Sequence, residues 1–190
     1  MAYNREIHHR RSIRLKGYDY TQAGAYFVTI VLQDRLCLFG EIVNTEIQLS
    51  EAGEMARRVW EALPDRFPMI TMDAFIIMPN HLHGIVIINP SVGAPLVGAQ
   101  SVGSQPALGA QSVGSQPALG DIIGAYKSLT TVEYTRGVKI MKWTPFHRRL
   151  WQRNYFEHVI RNDDALRDIR EYIINNPGQW DLDKENPRFY

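Results

Sequence analysis

The chain has 190 residues, 45% of them hydrophobic and 22% charged, with a formal net charge of +1, which suits one ordinary domain with enough apolar material for a core. A balance so near neutral excludes a globally basic nucleic-acid binder, and the single Cys37 excludes an internal disulfide. No stretch reaches the ~18 uninterrupted apolar residues of a membrane span, and the opening MAYNREIHHRRSIRLKGYDY has no secretory apolar core, so a cytoplasmic, nucleoid-associated protein is expected.

One domain is expected over 1–190, with a basic arm at 1–20 and a flexible loop at 91–120. In the arm, Arg5, Arg10, Arg11, Arg14 and Lys16 stand against the single acid Glu6. AYFVTIVL (25–32) and CLFGEIV (37–43) are rich in β-branched and aromatic residues and read as strands joined by a polar turn. Ser50 then caps a helix whose apolar positions Ala52, Met55, Ala56, Val59 and Leu63 follow the helical period up to Pro64. TMDAFIIM and HLHGIVII, separated by a Pro-Asn turn signal, form a hairpin. GAQSVGSQPAL occurs at 98–108 and again, unchanged, at 109–119. Its small residues offer too little bulk to offset the entropy of ordering, hence the loop.

Asp121 opens a helix through IIGAYKSLTTVEY, which Gly137 closes. FHRRLWQRNY interleaves Arg148, Arg149 and Arg153 with Phe146, Trp151 and Tyr155, a mixture that suits single-stranded nucleic acid because guanidinium groups neutralise phosphates while rings stack on unpaired bases. A solvated face over core aromatics would read the same way. YFEHVI (155–160) is a short strand, and Asn162 or Asp163 caps a last helix, DDALRDIREYIINN, stopped by Pro177. This order predicts an α+β fold, a sheet covered by helices.

On a strand, His81 and His83 project to one face with Leu82 opposite, and two imidazoles on one face can share an ion. They need a further donor to complete a site. In EYIINNP, Tyr172 and Asn176 lie one helical turn apart and can emerge together. Asn176 precedes Pro177, which disfavours helical geometry there, so Asn175 is the fallback ligand. A core tyrosine and a capping asparagine are the alternative reading of the same residues.

The ordered set RRSIRLKGYDY, GAYFVTIVLQDR, MPNHLHGIV, IIGAYKSLTT, WQRNYFEHVIRN and EYIINNP resembles the REP-associated tyrosine transposases, relatives of the IS200-like single-tyrosine HUH transposases. The resemblance implies a ferredoxin-like α+β sandwich, an antiparallel central sheet with helices packed on it. It implies His81 and His83 as metal ligands, Asn176 as the third, and Tyr172 as the nucleophile. Mg²⁺ or Mn²⁺ is the implied cofactor, and zinc is disfavoured because two histidines and an amide bring no anionic protein ligand. The implied reaction is cleavage and rejoining of single-stranded, hairpin-forming DNA through a 5′-phosphotyrosine link. Arg10, Arg11, Arg14 and Lys16 would hold the hairpin flank, with Lys127, Arg148, Arg149 and Arg153 on phosphates. A non-catalytic hairpin binder and a rolling-circle or relaxase-type nickase stay open as alternatives. So does a homodimer, since the insertion-sequence relatives are dimers and the REP-associated branch need not be.

Overall fold

A computed structural model describes residues 19–90 and 116–190. Four strands make the main sheet: β1 (Gly24–Val31), β4 (Ile70–Ile77), β5 (His81–Ile88) and β6 (Phe156–Ile160). Their order is β4-β5-β1-β6, every neighbouring pair antiparallel. Helices α1 (Glu51–Glu61), α3 (Leu119–Ile140) and α4 (Asp163–Asn175) pack on it, with the short α2 (Leu63–Arg66) after α1. This is the ferredoxin-like sandwich expected from the sequence.

Strand alternation sorts the core into two layers. Tyr26, Val28 and Ile30 of β1 and Leu82, Val86 and Ile88 of β5 join Met55, Val59 and Trp60 of α1 and Ile122, Ile123 and Tyr126 of α3 in one buried cluster. On the other face, Phe27, Ile85 and Ile160 meet Ile173, with Leu166 and Ile169 beside it, so α4 covers that side alone among the described helices. Burial on both faces explains why β1 and β5 read as near-continuous apolar runs. His81 and His83, with Thr29 beside them, are the polar interruption on the α4 side.

Helix α1 begins as expected: Ser50 Oγ accepts the Gly53 N–H at 3.1 Å, although α1 stops at Glu61 and Pro64 sits inside α2. The predicted pairing of 37–43 with β1 does not occur. Instead β2 (Gly40–Val43) pairs with β3 (Glu46–Leu49) through a turn in which Asn44 and Thr45 both have positive φ, 51° and 65°, the geometry of a two-residue hairpin loop. Leu119 and Gly120, assigned to the loop by sequence, open α3, and Leu119 is fully buried. Nor does Gly137 close α3. It lies under the Trp143 ring, where a Cβ would collide, and the helix runs on to Ile140. The arm residues Arg10, Arg11, Arg14 and Lys16, and most of the 91–120 loop, lie outside the described residues.

Candidate active site

The turn before β5 sets the first histidine. Asn80, fully buried, donates its amide to the carbonyls of Arg35 at 3.0 Å and Glu185 at 2.7 Å. Its Oδ1 is left to accept from His81 Nδ1 at 2.9 Å. His81 is thereby held in one tautomer with the Nε2 lone pair turned inward. On the neighbouring strand Thr29, directly opposite His83 in the register, holds His83 Nδ1 at 2.8 Å. The two Nε2 atoms then face each other at 3.0 Å.

Both rings are buried, 0% and 2% exposed, and burial holds His81 well below the ordinary imidazole range and His83 at about 3. The neighbouring charge of Lys184 pushes both the same way. Neutral imidazoles are the form that ligates metals.

Helix α4 brings the tyrosine. Asn162 caps it, accepting the Ala165 N–H at 2.8 Å, and Asp163 and Asp164 occupy its first turn, where the helix dipole favours acids. The Tyr172 hydroxyl comes to 3.3 Å from His83 Nε2, and Phe27 lies between strand and helix, stacked on His83 and edge-on to Tyr172. At 41% exposed, Tyr172 is reachable from solvent. Burial of its hydroxyl raises its pKa, the Asp183 and Glu185 charges add to that, and a hydrogen bond from Asn176 opposes it.

Asn176 stays in helical geometry, φ −59° and ψ −39°, despite Pro177 after it. Its side chain therefore remains beside Tyr172. Asn176 is 2% exposed and its Oδ1 has no hydrogen-bond partner among the described residues, whereas Asn175 is exposed.

Sequence reasoning missed a further donor. After a 3-10 helix (Pro177–Leu182), Asp183 turns its Oδ2 to within 3.6 Å of His81 Nε2. Its Oδ1 accepts the Glu185 N–H at 2.7 Å, but the buried Oδ2 has no hydrogen-bond partner among the described residues. Ligand atoms of His81, His83 and Asp183 all lie within 4.8 Å of one another. Two imidazole nitrogens and a carboxylate oxygen converging here are a donor set that fits a divalent cation, and adjacent ligands of a six-coordinate Mg²⁺ at 2.0–2.1 Å stand about 2.9 Å apart, close to the observed Nε2 separation. The carboxylate also removes the ground on which zinc was disfavoured, because an anionic protein ligand is present.

The expected DNA contacts divide. Arg148, Arg149 and Arg153 are exposed and, among the described residues, form no ion pair. Lys127 instead spends its ammonium on the carbonyls of Gln152, Arg153 and Asn154 at 2.9, 3.4 and 3.1 Å, and burial pushes its pKa down to about 8. The rings of FHRRLWQRNY turn inward: Trp151 is 5% exposed, and Phe146 and Tyr155 pack on the core. No described helix is long and apolar enough to cross a membrane.

No protein-family model matches the chain. An uncharacterised protein of Haemophilus influenzae is 40% identical over 183 residues, 96% of each chain. A second protein of that organism, provisionally named a REP-associated tyrosine transposase, is 25% identical over 166 residues, 84% of this chain and 73% of its own. Among solved structures, a REP-associated tyrosine transposase bound to a REP hairpin superposes with a TM-score of 0.56 at 18% identity, over 87% of this chain and 73% of that one.

Proposed function

We propose that the chain is a REP-associated tyrosine transposase related to the IS200-like group, a DNA strand transferase which cuts and rejoins hairpin-forming single strands through Tyr172. The observation that supports this reading is the approach of the Tyr172 hydroxyl to 3.3 Å from His83 Nε2, beside the converging ligand atoms of His81, His83 and Asp183. The solved relative holds a REP hairpin, and a hairpin of that kind is the substrate proposed here.

In the reaction, the Tyr172 oxygen attacks phosphorus in line. The P–O3′ bond breaks, the phenol gives up its proton, the released 3′ oxygen gains one, and the strand stays on the enzyme as a 5′-phosphotyrosine. A 3′-OH can later reverse the attack, because the covalent link conserves the bond energy. His81, His83 and Asp183 would hold a divalent cation, Mg²⁺ or Mn²⁺, with Asn176 a further oxygen donor. Such an ion, when bound, supplies charge neutralisation at a nonbridging oxygen and fixes the phosphate for attack. Asn80 and Thr29 keep the two Nε2 atoms presented.

Arg148, Arg149 and Arg153, with Arg10, Arg11, Arg14 and Lys16 of the arm, are assigned to backbone phosphates. Lys127 is assigned to holding the 152–154 segment in place under Arg153. Alanine replacements of the arginines should weaken DNA binding and flatten its salt dependence.

Incubation with Mg²⁺ and an end-labelled hairpin strand should give a covalent adduct that Tyr172→Phe abolishes. Cleavage without an adduct would mark simple hydrolysis, and binding without cleavage would mark a non-catalytic hairpin binder.

A further inference from the structure

Phe156 and Lys184 are not used by this chemistry, yet both stand at its edge. Phe156 lies opposite Thr29 across β6 and β1, and Thr29 lies opposite His83 across β1 and β5. The three residues form one row across the sheet, and a row shares a face. With strands about 4.8 Å apart, Phe156 starts roughly 10 Å from His83, within the span of one or two nucleotides of an extended strand. A large ring at that place would ordinarily be covered, but Phe156 is 44% exposed. Its inner edge rests on Phe27 at 6.2 Å between ring centroids, and Phe27 in turn touches both His83 and Tyr172.

Lys184 follows Asp183 directly and places its Nζ 5.5 Å from the centre of the Phe156 ring. It is exposed, and among the described residues it makes no ion pair. The charge is near enough to act on both imidazoles. A partly exposed ring beside a cation that makes no ion pair among the described residues is the pairing that single-stranded nucleic acid uses, stacking for the base and charge for the backbone.

We propose that Phe156 and Lys184 seat the nucleotide next to the cut, its base against the phenyl ring and its phosphate against the ammonium. The proposal rests on the strand-cutting reading above and deepens it by naming what grips the single-stranded flank. An arriving phosphate draws the ammonium off the ring and opens that face to the base.

Binding is the readout, in the full chain carrying Tyr172→Phe, so that strand cutting plays no part in it. Two DNAs are compared, a hairpin with a single-stranded flank and the same hairpin without one. Phe156→Ala should weaken binding of the flanked DNA roughly tenfold, the order of a lost base stack, and leave the bare hairpin unaffected. Lys184→Gln should lower the salt slope for the flanked DNA by about 0.7, one single-strand phosphate contact, and Lys184→Arg should restore it. Equal losses on both DNAs, no loss on either, or no advantage of the flanked DNA in the parent protein would each overturn the proposal. A tyrosine adduct that fails to form in the otherwise unaltered chain would sink the strand-cutting reading and leave these binding results standing by themselves.

Discussion

Arg170 forks onto Asp73 through hydrogen bonds of 2.7 and 2.6 Å, and Tyr172 stands two residues further along the same helix. Asp73 is available because β4 is irregular between Met72 and Phe75, as a bulge that re-aims side chains would make it. The guanidinium holds the Asp73 carboxyl below its usual range. The pair ties α4 to the sheet on the side where Tyr172, the proposed nucleophile, meets His83. Since Arg170 is 45% exposed, solvent screening keeps the pair's contribution to stability small, whereas a displacement of a reacting group by about 1 Å can cost 100-fold in rate. Arg170→Ala should therefore slow adduct formation at least tenfold with only a small fall in melting temperature. A normal rate would show that apolar packing alone positions Tyr172.

Asp183 and Asn176 are the two proposed oxygen donors to the cation, and their effects on Tyr172 differ in sign. The Asp183 charge raises the phenol pKa, and the Asn176 hydrogen bond lowers it. In metal-free protein, ultraviolet titration should find phenolate appearing at lower pH in Asp183→Asn and at higher pH in Asn176→Ala. Mn²⁺ affinity, followed by calorimetry, should fall about tenfold or more in Asp183→Asn, the scale of losing a group that serves a metal site. Unchanged affinity in that variant would leave Asn176 as the oxygen donor.

The buried imidazoles make the metal-free fold sensitive to acid. In the unfolded chain they take up protons near 6.5, while in the folded chain His83 resists to about 3 and His81 is also held well down. Between those limits the unfolded state carries more protons, so stability falls as pH drops below 6.5 and is retained above it. Well below pH 6.5, His83 contributes a slope approaching about 1.4 kcal/mol per pH unit, and His81 adds to it in the same direction. Urea midpoints measured without metal should decline from pH 6.5 to pH 5, less steeply in His83→Gln. A flat profile would mean that the rings are protonated in the folded state.

How far the sequence revealed this arrangement depends on how local each cause is. Strand alternation put His81 and His83 on one face, and Asn162 and Pro177 bounded α4, because those signals act within a few residues. The β2–β3 hairpin stayed hidden since Thr45, β-branched, occupies a positive φ that usually advertises itself with glycine. Gly137 resembles a helix stop by every local rule, and only Trp143 folding back over it explains a glycine there. Asp183 could not be read at all. It follows a short 3-10 helix with no periodicity, and its carboxylate reaches His81 across about a hundred residues of chain. The inward turn of Trp151, likewise, was one of two readings of the same aromatic-basic stretch, and core packing against Tyr126 and Phe39 decided it.

Gly84 ties the first layer of this site to the opposite face of the sheet. It follows His83, and a Cβ there would lie 2.5 Å from a ring carbon of Trp60 and 3.3 Å from Phe75 Cβ. Trp60 is fully buried and wedged between Tyr126 and Phe75, at 5.1 and 6.3 Å between ring centroids, so it has little room to retreat. Gly84→Ala should cost about 1–3 kcal/mol of stability by overpacking. Because the strain enters next to a proposed ligand, Mn²⁺ affinity should fall with it. Trp60→Phe shrinks the obstructing ring and also removes an indole N–H that is buried without a hydrogen-bond partner among the described residues. Combined with Gly84→Ala, it should recover part of both losses. Urea midpoints and Mn²⁺ titrations of the two single variants and the double variant would test this, and additive losses with no recovery would show that the glycine answers to something other than the tryptophan.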